Sequence, residues 1–269
     1  PFTLHFHLSR HLTSLSITSL SIMSPIMPAD MPCAQAPALI HTIVVAAGVG
    51  KRFGGELPKQ YTQIQQKTVL EHSIAALSHV PQLGHCYLVV SPNDKIAKTL
   101  EYAMPIIWVA GGAERMHSVF NGVTAIWQRH AAQPLDNQWV LIHDAARPCV
   151  LATDIQRLID KTTVAHERSG GLLAVPVRDT VKLIEQIENH KVAKKTIDRS
   201  QLWLAQTPQL FPLAKLYHYL EQAIAQHIPF TDEASLFEHF GELPLLVEGS
   251  HSNIKLTYPE DLQFAAVYL

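Results

Sequence analysis

The stretch Thr42–Phe53, TIVVAAGVGKRF, decides the fold. Its first five residues are an unbroken apolar, β-branched run ending at glycines, the pattern of a parallel strand buried on both faces. Downstream, Val69–Ser78 (VLEHSIAALS) repeats apolar residues at helical spacing. Thr68 stands before that run with Glu71 three residues on, a capping box that starts a helix. Cys86–Val90 (CYLVV) reads as the next strand, Ile106–Val109 as another short one, and Arg115–Gln128 as an amphipathic helix. Trp139–His143 (WVLIH) is a strand, Thr153–His166 a helix capped by Thr153, and Gly171–Pro176 a further strand. Strands alternating with helices predict an α/β fold with a doubly wound, mainly parallel sheet covered on both faces. In such folds ligands sit beyond the carboxyl ends of the strands, so the loops after Ala46, Val109, His143 and Pro176 are where chemistry belongs. One segment breaks the rhythm. Thr180–Ile184 and Val192–Ile197 flank a polar turn, Glu185–Lys191, and read as a β-hairpin arm too small to bury a core alone. Its packing surface is either a second copy of the chain or the rest of its own.

Composition limits the alternatives. With 269 residues, 47% hydrophobic and 16% charged, the chain has apolar surface for a buried core and is not a disordered polymer. A balance of 21 basic and 23 acidic residues argues against a large nucleic-acid footprint. Cys33, Cys86 and Cys149 are scattered and form no CxxC pair, which suits a reducing compartment, and the expected location is the cytoplasm. Sixteen histidines show no HExxH or zinc-finger spacing. Residues 1–40 differ from the rest, being rich in Ser, Thr and Pro. Their most apolar run, Leu12–Met23, is too short and too hydroxylated to span a bilayer. Ala34-Gln35-Ala36 mimics a signal cleavage site, but the apolar core before it is weak. The expectation is a disordered extension over 1–40 and a single folded domain over 41–269, with the arm at about 180–200. No membrane partner is expected.

The loop after the first strand can cradle an anion on its backbone amides. It is not the dinucleotide fingerprint, because Phe53 stands where the third glycine is needed. It is not a Walker loop either, since Val45 and Arg52 occupy positions requiring glycine and a hydroxyl. What remains is a glycine turn followed by Lys51, Arg52 and, beyond Pro58, Lys59. These cations suit a triphosphate; as ordinary loop charges they would simply be solvated. Asp144 ends an apolar strand, where its carboxylate needs a counter-charge. Mg²⁺ with phosphates would serve, and so would an ion pair with Arg147 or a helix cap. Gly111-Gly112 permits close approach of a ligand to the backbone, and Ser118 opens the following helix.

Together these residues resemble one family. Ala46-Ala47-Gly48, Lys51-Arg52, Pro58-Lys59-Gln60-Tyr61 and His143-Asp144-Ala145-Ala146-Arg147-Pro148 are similar to the motifs of 2-C-methyl-D-erythritol 4-phosphate cytidylyltransferases of the nonmevalonate isoprenoid pathway. The similarity continues in order through Pro176-Val177-Arg178-Asp179-Thr180, Asp198-Arg199, Gln206-Thr207-Pro208-Gln209, Thr231-Asp232-Glu233-Ala234-Ser235 and Asn253-Ile254-Lys255. The resemblance implies a Rossmann-like nucleotidyltransferase that joins CTP to methylerythritol phosphate and releases pyrophosphate. It also implies Mg²⁺ and a homodimer with interlocking arms. By the same resemblance, Ala46, Ala47, Gly48, Gly50, Lys51, Gly112 and Ser118 hold the nucleotide, while Arg52 and Lys59 act on its reacting phosphates. Asp144 binds the metal and faces both substrates; Arg147, Thr207 and Lys255 grip the acceptor; Thr180 and Arg199 come from the partner's arm. One departure is Ala113, where the family often carries an acid.

The implied chemistry needs no catalytic base, because a phosphate monoester with a second pKa of about 6 is already a nucleophile. It needs cations that bring two anions together. Two other readings fit parts of the pattern: a cytidylyltransferase for another polyol phosphate such as ribitol 5-phosphate, and a nucleotide-binding regulator without turnover. A pure binder has no use for Arg52, Lys59 and Asp144 together.

Overall fold

β1 (Leu39–Val45) alternates its side chains between two apolar layers, with Ile40 and Val44 on one side and Ile43 on the other. That two-sided burial is why its sequence shows no polar alternation. The computed structural model describes residues 38–48, 53, 57–135, 137–164 and 169–269. Of the expected extension, residues 1–37 lie outside the described residues, but Leu39 and Ile40, expected within it, form the start of β1, with Ile40 buried in the core. β2 (Gln63–Ile64) and β3 (Lys67–Thr68) form a small antiparallel ribbon leading into α1 (Val69–Ser78). The capping box is present in both directions: the Glu71 amide donates to Thr68 Oγ1 at 3.2 Å, and the Thr68 amide donates to Glu71 Oε2 at 2.7 Å.

The chain continues through β4 (Cys86–Val90), β5 (Ile106–Ala110), α2 (Arg115–His130), β6 (Gln138–Asp144), α3 (Ala152–Thr163) and β7 (Gly171–Pro176). Next come β8 (Val181–Ile187), β9 (His190–Ile197), β10 (Trp203–Pro212), α4 (Leu213–Ala225), α5 (Glu233–His239), β11 (Leu245–Glu248) and α6 (Asp261–Tyr268). The main sheet has seven strands in the order β11-β7-β10-β6-β1-β4-β5. All its neighbours pair in parallel except β10, which runs antiparallel between β6 and β7. On one face α1 and α3 bury Leu70, Ile74, Leu77, Ile155 and Leu158; on the other α2, α4 and α5 bury Val119, Val123, Leu216, Leu220 and Phe237. No helix among the described residues is long and apolar enough to cross a membrane.

The expected α/β architecture is present, with differences in detail. α3 starts after Leu151, with no side-chain cap, so Thr153 lies within the helix rather than ahead of it. Its apolar stripe is the same from either start, so periodicity could not place the boundary. The hairpin strands are longer than expected, and Glu188-Asn189 alone makes the turn, with Glu188 at φ 51°. Glu185 and Lys191 belong to the ladder, paired with Val192 and Gln186. Nearly every residue of this ribbon is exposed, so no buried face marked where its strands end.

His41, on β1, is 5% exposed and hydrogen-bonded through Nε2 to Gln138 Oε1 at 3.0 Å. Burial, reinforced by His130 and His85 against the Gln138 bond, pushes its pKa down to about 4. The unfolded chain binds this proton near the ordinary value of 6.5, so His41 favours the fold fully above about pH 6.5 and less as pH falls toward 4. Over that window it should remove up to about 1.4 kcal/mol of stability per pH unit. Urea unfolding at intervals from pH 7.5 to 4.5 should give a shallower loss for His41→Gln than for the wild type; parallel curves would refute this role.

Candidate active site

The carboxyl ends of β1 and β6 and the amino end of α2 meet at one cavity. It is lined by Ala46, Ala47, Gly48, Lys59, Gly112, Ala113, Ser118, Asp144 and Lys255, together with Arg115. The β1 loop is held from below by Gln60, whose Nε2 donates to the carbonyls of Ala46 at 2.8 Å and Gly48 at 3.1 Å. The glycine turn is held by Ser118, whose Oγ accepts from the Gly112 amide and donates to the Glu114 carbonyl, each at 3.1 Å. Only glycine fits here. A Cβ on Gly111 would stand 2.5 Å from the Ala47 Cβ, and one on Gly112 would stand 2.3 Å from the His117 Cβ. The turn thus lies against the β1 loop, ahead of a 16-residue helix whose Glu114 N-cap makes no side-chain capping bond. Free amides at such a terminus favour an anion.

Asp144 is 8% exposed at the last position of β6. Its Oδ2 takes a 2.6 Å ion pair from Lys255, and its Oδ1 lies 3.5 Å from Arg115 Nη2. Burial by itself would raise the carboxyl pKa; Arg115 and then Lys255 outweigh it and hold the group well below the usual carboxylate range. The ion pair with Arg147 that the sequence allowed as one alternative is not made; Arg147 contributes less than these two residues and without direct contact. Arg147 points its guanidinium at backbone carbonyls, with Nη1 donating to Asn253 at 2.7 Å and Nη2 to Ala205 at 3.3 Å. Burial pulls its pKa below the ordinary arginine value, and its Nε has no partner among the described residues.

A bulge in β10 builds the adjoining wall. Opposite β7, the register jumps from Ala205↔Ala174 to Gln209↔Leu172, so Gln206, Thr207 and Pro208 leave the ladder. Thr207 Oγ1 then accepts from the Asp144 amide at 3.0 Å and lies 3.0 Å from His143 Nδ1. The Arg147 carbonyl, 3.0 Å from His143 Nε2, can only accept, so the neutral ring carries its proton on Nε2 and its Nδ1 accepts from the Thr207 hydroxyl. Burial pushes the His143 pKa down to about 4, so the ring is neutral at pH 7. Asn253 Nδ2 donates to the Thr207 carbonyl at 2.9 Å. A second cavity opens here, between Arg147, Gln206, Thr207 and Asp232, and it shares Arg115, Asp144 and Lys255 with the first.

The structure therefore brings Ala46, Ala47, Gly48, Lys59, Gly112, Ser118 and Asp144 to one cavity, and Arg147 and Thr207 to its neighbour, with Lys255 on both. Lys59 also donates to the Leu256 carbonyl at 2.7 Å, next to Lys255. Gly50, Lys51 and Arg52 lie outside the described residues. Thr180 and Arg199 sit exposed at the two feet of the arm and line neither cavity; Arg199 donates to the Arg178 carbonyl. Sequence reading gave no role to Arg115, Glu233, Gln60 or Asn253. Arg115 carried no signal beyond following the glycine turn, and the other three lay inside quoted motifs without an assigned part.

The family model for IspD, 2-C-methyl-D-erythritol 4-phosphate cytidylyltransferase, matches residues 40–269. The chain belongs to this family. A 2-C-methyl-D-erythritol 4-phosphate cytidylyltransferase of Vibrio parahaemolyticus is 46% identical over 229 residues, 84% of this chain and 94% of the relative. The Escherichia fergusonii protein of that name is 45% identical over 232 residues, 86% of this chain and 93% of its own. Among solved structures, a 4-diphosphocytidyl-2C-methyl-D-erythritol synthase aligns with TM-score 0.71 at 35% identity, covering 87% of this chain and 99% of that one. The Francisella tularensis cytidylyltransferase aligns with TM-score 0.71 at 34% identity, over 86% and 100%. In this family member, Gln60→Ala should free the β1 loop and leave the Ala46 and Gly48 carbonyls unpaired, costing about 1–3 kcal/mol of stability. A raised KM for CTP alongside a lower melting temperature is the expected outcome; unchanged values for both would remove Gln60 from the loop's support.

Proposed function

We propose that this chain carries out its family's reaction, moving a cytidylyl group from CTP to 2-C-methyl-D-erythritol 4-phosphate and releasing pyrophosphate. The observation that carries the reading is the wall common to the two cavities: Asp144, Lys255 and Arg115 face both. A nucleotide bound against the glycine turn and an acceptor phosphate beside Arg147 would meet across that wall. The Arg147 Nε, buried and unpartnered among the described residues, suits an anion there.

The acceptor phosphate attacks the α-phosphorus of CTP, and pyrophosphate departs with the electrons of the broken P–O bond. No proton need be removed from the nucleophile above a pH of about 6. The work lies in overcoming repulsion between two anions and stabilising charge on the transferring phosphoryl and leaving group. Lys59, with Arg52, is assigned to that charge; Ala46, Ala47, Gly48, Gly50, Lys51, Gly112 and Ser118 to the nucleotide; Arg147, Thr207 and Lys255 to the acceptor. Among the described residues no three acidic, histidine or cysteine groups converge as a metal cage. Asp144 is the ionised carboxylate on the wall shared by both cavities, which matches the habit of Mg²⁺ of taking one protein carboxylate and filling its shell with phosphate oxygens and water. Bound there, Mg²⁺ would neutralise phosphate charge in the transition state.

The arm supports a homodimer. Leu183, Ile184 and Ile187 are 48%, 53% and 54% exposed on a two-stranded ribbon separate from the main sheet. A lone hairpin is marginal in water, so a second chain covering it, and receiving Thr180 and Arg199 at its own site, fits both facts. Free, buried Cys86 and Cys149 suit the cytoplasm.

Pyrophosphate release from CTP, Mg²⁺ and methylerythritol phosphate tests the reading, with ribitol 5-phosphate as the competing acceptor. No release with the first acceptor, or faster release with the second, would overturn it. Lys59→Ala should lower kcat by about 10²–10³, with little change in KM, as loss of a preorganised charge donor does. Near-normal turnover would exclude Lys59 from the chemistry. Mixing Arg199→Ala with Lys59→Ala chains, each poor alone, should restore activity through heterodimers holding one intact site. If activity stays absent after subunit exchange, the arm serves its own chain.

A further inference from the structure

Glu233 has 0% exposure at the first turn of α5, and its partner is Arg115 at the start of α2: Nη1 to Oε1 is 2.6 Å and Nη2 to Oε2 is 3.0 Å. A carboxylate so deeply buried is tolerated only with a partner of this kind. The α5 start is itself pinned to β10, since Gln209 donates to Asp232 Oδ2 at 2.8 Å and accepts from the Ala234 amide at 3.0 Å. Arg115 Nη2 is also the group 3.5 Å from Asp144 Oδ1. Charges therefore alternate along one line: Glu233, Arg115, Asp144, Lys255.

The two cations on Asp144 differ in freedom. Arg115 is fixed by a two-pronged contact to a fully buried anion. Lys255 has a side chain 42% exposed, and its contact among the described residues is Asp144 alone. When Lys255 turns part of its donor set toward a substrate phosphate its hold on Asp144 loosens, and a buried carboxylate without a fixed protein cation, with or without Mg²⁺ on it, would swing out of place. Arg115 is the cation that stays. Resting on the cytidylyl-transfer reading, we infer that Arg115 is a positioning residue of the reaction, keeping Asp144 in place while Lys255 turns to substrate, and that Glu233 holds Arg115 in that position.

Arg115→Gln alone would strand Glu233, so the informative variant is the neutral pair Arg115→Gln/Glu233→Gln. Its kcat should fall tenfold or more. KM for both substrates, and the CTP dissociation constant from calorimetry without acceptor, should stay within threefold. In an Asp144→Asn background, followed with radiolabelled CTP, the pair should cost less than a further twofold, because there is no carboxylate left to position. Unchanged kcat, a tenfold weaker CTP complex, or a full tenfold loss in the Asp144→Asn background would each overturn the inference. These outcomes presuppose an active wild type; a wild type that releases no pyrophosphate overturns the function and this inference together.

Discussion

A carboxylate at the buried end of a strand can persist only where cations reach it, and the site is organised around that requirement at Asp144. Its counter-charges come from α2 and from the segment after β11, more than a hundred residues apart in sequence. The sheet order makes this possible. β6 lies at the centre, so the loop after β1, the start of α2 and the bulge of β10 all open toward its carboxyl end. The same cations that make Asp144 tolerable make the rim hospitable to phosphates, so one electrostatic arrangement serves both the folded state and the ligands.

Polar satisfaction around this carboxylate is unusually local. The Asp144 amide, the Thr207 hydroxyl, the neutral His143 ring and the Arg147 carbonyl form one continuous run of hydrogen bonds. Each group both positions a neighbour and is positioned by one, which fixes the strand end without any net charge of its own. Glycines at the opposite wall do the complementary task of letting the turn pack against Ala47 and His117, where any side chain would collide.

Much of this was legible in the sequence, and the limits have physical causes. Strands buried on both faces announce themselves as apolar runs, so β4, β6 and β7 are legible to within a residue at each end, while β1 starts three residues earlier than its apolar run, at Leu39. β10 was not read as a strand: its course is interrupted by Gln206-Thr207-Pro208, polar residues and a proline that local pattern assigns to a loop. The site residues on loops after strands were recognisable because glycine and charge stand out against apolar runs. Arg115 and Glu233 were invisible as a pair, because a contact spanning 118 positions leaves no periodic trace. Asp144 drew attention as a charge without a partner, yet its partners could not be named before the chain was folded.

The place of β10 has a consequence for synthesis. β6 is complete at residue 144, but its neighbour in the sheet begins only at Trp203. At ribosomal speeds of about 5–20 residues per second, the hydrogen-bonding edge of β6 stays open for several seconds while α3, β7 and the ribbon are made. During that interval a nascent chain carries a central strand with one edge unpaired, open to wrong strand pairing.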